Sequence, residues 1–279
     1  MKLKISVLLC LMLSVVLGAC GGGGGGGSSS GDGDGSGAGN KKLFVKGTAQ
    51  GRVQESYRYD NLNRVIEHVA DHTGVPIRTR KVEYTGADPR PSLVANEGIA
   101  GIAPFTQYSY GEDTYRGVTT KYFQTRDLDW NKYPISDHFF RVYLDSQNRM
   151  IAMGVYYYGT FTSSGLSFNY DSRGNLTKIL LNSGSANEES WEFTYDNKNG
   201  AYSATETPFW WWQGTVGPNN VTSAVYTARS NYAVAVQKRR TYSYTYDSAG
   251  YPIQNFGSGD EMVGDYGAYE GTFEYIAAH

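Results

Sequence analysis

Cysteine is almost absent: the 279-residue chain has two, Cys10 and Cys20. That excludes a multi-disulfide framework and a cysteine zinc site. A surplus of one charge is lacking too, with 25 Lys and Arg against 27 Asp and Glu and a formal net charge of −2. A strongly basic nucleic-acid binder is therefore excluded, and nothing steers the chain toward acidic membranes. The apolar run from Ile5 to Leu17 has 13 residues. It is well short of the ~20 needed to span a bilayer as a helix. No Gly-x-Ser-x-Gly elbow stands between a strand and a helix, and no Gly-Lys-Ser/Thr phosphate loop is present.

What is there begins with an address. Lys2 and Lys4 precede the Ile5–Leu17 run, whose length suits the core of a signal peptide. Leu17-Gly18-Ala19-Cys20 then resembles a bacterial lipobox. The resemblance implies cleavage before Cys20, acylation of its thiol and new α-amine, and a mature chain of 260 residues with no second cysteine. Gly21, rather than Asp, follows the cysteine, and by the Gram-negative sorting pattern this implies the outer membrane, with the face left open. Several acyl chains hold stably where one is marginal.

Residues 20–40 read as the lipidated cysteine and its tether. Gly21 to Asn40 comprises 12 Gly, 4 Ser, 2 Asp, 1 Ala and 1 Asn, with no apolar side chain large enough to offset ordering. Such a segment spans about 25 Å on average. Asp32 to Gly37 imitates the start of a calcium loop, but Leu43 stands where the closing Glu belongs, so it reads as linker.

Residues 41–279 hold all 40 aromatics and carry an internal repeat. Apolar residues alternate before an Asp in Leu166/Phe168/Tyr170, Trp191/Phe193/Tyr195 and Tyr242/Tyr244/Tyr246, the period of a strand with one buried face. The aspartates are Asp60, Asp145, Asp171, Asp196 and Asp247, and three residues after each stand Asn63, Asn148, Gly174, Asn199 and Gly250. Asp opens a type I turn by accepting backbone N–H groups, and Gly or Asn tolerates the left-handed residue that closes it. The spacings of 26 and 25 residues between the middle three aspartates set a period, echoed at Tyr84 and Tyr110. These segments resemble the Tyr-Asp-x-x-Gly-Arg-Leu hairpins of the YD-repeat family. More specifically they are similar to uncharacterised outer-membrane lipoproteins with degenerate YD units. The resemblance implies the family's fold and no catalytic residue. The Arg after the turn is present only at Arg64 and Arg149. Residues 41–279 are thus predicted to be one all-β domain, an antiparallel meander of YD-like hairpins curled into a strongly twisted sheet. At Leu62, Val65, Ile66 and Val69 the spacing also fits a helix; the sister segments favour a strand.

Chemical candidates are few. His68 and His72 are four apart but lack the Glu of a zinc protease motif, and on a strand they lie about 13 Å apart; they read as solvated. Asp127/Asp129, Glu188-Glu189 and Asp260-Glu261 read as solvated turns. The unusual feature is Trp210-Trp211-Trp212 beside Asn219 and Asn220, in which flat aromatics and amides suit a sugar ring. A membrane or envelope-protein contact and plain core packing are the other readings of that segment. No metal, cofactor or nucleic-acid partner is expected. The expectation is a non-enzymatic outer-membrane lipoprotein serving as a binding or structural module. A glycan-binding protein of nutrient uptake comes second and a hydrolase third.

Overall fold

The computed structural model describes residues 41–49, 52–71, 77–98, 102–205, 217–260 and 270–279. Cys20, the tether, His72 and Trp210 to Trp212 lie outside them. Among the described residues the fold is all-β, with seventeen strands in chain order. They are β1 Lys42–Ala49, β2 Arg52–Tyr59, β3 Val65–Ala70, β4 Arg78–Tyr84, β5 Pro91–Glu97, β6 Phe105–Tyr115, β7 Val118–Leu128, β8 Phe139–Leu144 and β9 Met150–Tyr157. There follow β10 Thr160–Ser163, β11 Leu166–Tyr170, β12 Leu176–Leu181, β13 Glu189–Tyr195, β14 Val221–Ser230, β15 Ala233–Tyr246, β16 Pro252–Gly259 and β17 Glu270–Ala277. The segment that fits two periods is strand β3.

Among the described residues every pairing is antiparallel and joins neighbours in sequence, except that β1 also pairs with β17, Lys42 opposite Ala277 and Gly47 opposite Phe273. The curled sheet thereby brings its two ends together, and full pairing removes sticky edges. One irregularity interrupts it. Among the described residues no ladder joins β10 to β11. The chain pairs with β9 as β10, bends at Ser164 and Gly165, and continues as β11 beside β12. Ser164 N and Oγ both donate to Met153 O at 2.8 Å, and Tyr170 OH bridges to Met150 O. Two short strands share one place in the wall.

The two faces differ in chemistry. Outward positions carry cross-strand ion pairs, such as Lys46–Glu274 at 2.6 Å, Lys178–Glu192 at 2.6 Å and Arg58–Glu67 at 3.4 Å. Inward positions carry the apolar residues. One lobe packs Phe123, Val142, Met153, Ile179, Trp191 and Ala224 across the interior. A second packs Phe44, Tyr57, Val65, Val82 and Val94 around Ala201 and Tyr202, which belong to the connection between β13 and β14. Tyr108 touches both.

The turns follow the expected chemistry at four of the five aspartates. Asp60, Asp145, Asp171 and Asp247 each accept two backbone N–H groups on Oδ1, from the second and fourth residues onward, at 2.9–3.0 Å. The left-handed residues are Asn63 (φ 59°), Asn148 (φ 59°), Gly174 (φ 91°) and Gly250 (φ 79°). Asn199 departs from the expectation: it has no positive φ, and its N–H donates to Gly250 O instead of Asp196 O. The reason is an insertion. The chain leaves the hairpin after Lys198 and returns at Asn220, whose carbonyl accepts the Asp196 N–H as a fourth-residue carbonyl does elsewhere.

A further turn of the same kind is at Asp129, with Asn131 N and Tyr133 N on its Oδ1 at 2.9 Å and Lys132 at φ 62°. The sequence hides it because lysine fills the left-handed position and Leu128 replaces the tyrosine. A Cβ at Gly174 would meet nothing within 4 Å, so only its φ resists substitution. Gly174→Ala and Gly250→Ala should each cost about 1 kcal/mol in urea unfolding. Ser172→Ala should cost little, and equal, negligible losses would show that these turns do not need a left-handed glycine.

Candidate functional site

Two polar constellations use the residues that the repeat supplies. The first is a girdle at the end of the shell where the Tyr-Asp turns lie. Tyr59, Tyr84, Tyr110, Tyr170, Tyr195, Tyr244 and Tyr275 each donate their hydroxyl to a backbone carbonyl 15–23 residues earlier, at 2.6–3.0 Å. Beyond Tyr59, these acceptors are Val65, Pro91, Met150, Leu176, Val221 and Pro252, each the first strand residue after a turn. The echo at Tyr110 is therefore real in its hydroxyl but makes no turn, because β6 runs straight through it.

The residue before the acceptor completes the link. Arg64 is held by Asp60 at 2.7 Å and lies over the Tyr84 ring at 4.4 Å; Arg149 is held by Asp145 and lies over Tyr170 at 4.7 Å. Each hairpin so clasps the next through a cation–π contact and a hydroxyl. Where the motif lacks arginine, other groups serve. Asn175 Nδ2 donates to Asp171, Asn220 Nδ2 donates to Asp196, and Lys42 from β1 reaches Asp247 at 2.6 Å. Burial pushes the Asp60, Asp171 and Asp247 carboxyls up. Hydrogen bonds from Arg64, Asn175 and Lys42, with backbone N–H groups, outweigh it, so all three lie below the usual carboxylate range.

The girdle also consumes the proposed sugar amides. Asn220 is 0 % exposed, and its Nδ2 donates to Asp196 Oδ2 and to Asn199 O. Asn219 exchanges bonds with Asn175 and donates to Lys198 O. Neither is a free partner for Trp210, Trp211 and Trp212, which lie outside the described residues. Turn chemistry thus engages the amide nitrogens of both asparagines.

The second constellation is inside. Glu55 on β2 accepts Tyr57 OH at 2.9 Å on one oxygen and Tyr202 OH at 2.7 Å on the other. His68 Nε2 lies 3.7 Å from the carboxylate, and its ring stacks on Tyr57 with centroids 4.5 Å apart. His68 is 4 % exposed, which overturns the solvated reading. A strand at β3 turns it inward, and sequence alone could not say which face was covered. Burial raises the Tyr57 and Tyr202 hydroxyl pKa values, and the Glu55 charge raises them further. Both stay protonated donors, and together they tie the β13–β14 connection to the wall. Among the described residues, no group of three or more His, Cys, Asp or Glu is placed to hold a metal ion.

No family model matches the chain, and no curated protein matches it either. Among solved structures, it is similar to a porin-like protein from Bacteroides uniformis, with 13 % identity over 85 % of this chain and 97 % of that one, at a TM-score of 0.37. A likeness that weak assigns neither a fold nor a function.

Proposed function

We propose that the protein is a non-enzymatic lipoprotein of the outer membrane, related to the YD-repeat lipoproteins and serving as a binding or structural module of the envelope. Acyl chains on Cys20 would anchor it, and the Gly-rich segment would hold the shell off the bilayer. The observation that carries this reading is the shell's polarity. Cross-strand ion pairs stand on its outer face, and the two apolar lobes pack inside. Attachment then has to come from a separate device, and the lipobox is one. Both chain ends support the geometry. Lys42 is fastened to Asp247 and His279 to Asn63, so a tether entering at Lys41 approaches the girdle end. The opposite end, with the Asp129 turn and exposed Tyr158, would face away from the lipid.

Cys20→Ser should move the protein from the outer-membrane pellet to the soluble periplasmic fraction and abolish incorporation of labelled palmitate. A serine variant that still pellets with outer membranes would overturn the lipoprotein reading.

A further inference from the structure

Strand β4 brings two arginines to the inner wall. Val82 is buried in the second lobe, and the two-residue period of a strand puts Arg80 and Arg78 on the same face. In register, Arg80 stands between His68 of β3 and Asn96 of β5, extending a row that begins at Tyr57 of β2. Arg78 stands beside Ala70, which faces Glu55 on its other side. Among the described residues neither arginine has an ion pair, and the Arg78 Nε is shielded from water with no hydrogen-bond partner.

The acids on this wall are engaged elsewhere. Both Glu55 oxygens are taken by Tyr57 and Tyr202. Asp127 accepts from Thr106, which itself accepts from Asn96. Desolvation lowers the Arg80 pKa, and the neighbouring Arg78 charge adds to it against the opposing pull of Tyr108 and Tyr57. Two guanidiniums without an ion pair among the described residues, on a partly dry wall, are unfavourable for folding alone. Both side chains keep part of their surface exposed. Planar guanidinium donors match oxyanions in paired hydrogen bonds.

We propose that Arg78 and Arg80, beside His68, form a binding site inside the shell for a small oxyanion, such as a free phosphate or the phosphate of a sugar. Its ligand would supply a counter-charge that no described residue gives them as an ion pair. The site does not depend on how the chain is anchored.

The test uses the full-length chain in non-ionic detergent, with thermal melts across a phosphate titration at constant ionic strength. The wild-type melting temperature should rise saturably, because a ligand that binds only the folded state stabilises it by mass action. Equilibrium dialysis with labelled phosphate should give one ion per chain. Arg80→Met and Arg78→Met should each weaken binding at least tenfold, yet melt at or above the wild-type temperature without phosphate, since an unpaired charge has gone. Arg80→Lys, which keeps the charge and loses the fork, should weaken binding several-fold and covers the possibility that a Met variant does not fold. Glucose 6-phosphate binding tenfold more tightly than phosphate would identify a sugar phosphate; equal binding would identify the free ion. A flat or unsaturable titration, or variants that respond as wild type does, would overturn the site.

Discussion

Asp196→Ala should destabilise the fold by at least ~3 kcal/mol, clearly more than Asp145→Ala at an ordinary turn. Four donors converge on the Asp196 carboxylate: Lys198 N at 3.0 Å, Asn220 N at 3.1 Å, Asn220 Nδ2 at 3.2 Å, and the Tyr246 hydroxyl. Hydrogen bonds to a charged acceptor are worth about 1.5–3 kcal/mol each in favourable settings, and a buried donor left without a partner adds its own desolvation cost. Asn220 is fully buried, so water cannot replace the lost acceptor. At Asp145 the partners Gln147 N and Arg149 lie near the surface, and water can satisfy them. Urea midpoints followed by circular dichroism would compare the two. Equal losses would mean that Asp196 is one more turn residue and not the knot that secures the inserted connection.

Tyr202→Ala is expected to cost about 3–5 kcal/mol, the usual range for truncating a buried aromatic to alanine. Tyr202 is 2 % exposed, packs edge-on to Phe44 with centroids 4.8 Å apart, and meets Tyr57 at 5.5 Å. Its removal would leave a void in the second lobe and take one donor from the buried Glu55. Tyr202→Phe separates the two effects. It keeps the ring and loses the hydroxyl, so it should cost ~1–3 kcal/mol. Combining Tyr202→Phe with Glu55→Gln should cost less than the sum of the two, because both changes act on the same contact. A Tyr202→Ala loss below ~1 kcal/mol would mean that the β13–β14 connection only rests against the shell.

Much of the architecture is legible in short windows of sequence. The alternation at Tyr242, Tyr244 and Tyr246 places one strand face inward, and Asp171 with Gly174 three residues on marks a turn. Both signals act over a few residues, so they survive without tertiary context. The misses have the same explanation in reverse. At Asp129 the turn geometry is enforced by the pairings around it, so Lys132 accepts a left-handed conformation that sequence preference would not assign to it. Asn199 carries the right residue type at the right spacing, yet the chain departs there into an insertion, and Asn220 takes over the role. Asn219 and Asn220 look like ligand groups until Asp196 and Asn175 are brought against them.

The all-β class, the hairpin units and the turns at Asp60, Asp145, Asp171 and Asp247 are readable from the residues alone, because strand period and turn chemistry are local. Tertiary structure alone decided that β1 meets β17, that Tyr202 reaches Glu55 across 147 residues of chain, that His68 is covered, and that Arg78 and Arg80 share an inner wall. These depend on which side of each strand faces the interior once the sheet has curled. A two-residue period leaves two choices of face for a charged side chain, and only packing against distant strands selects one.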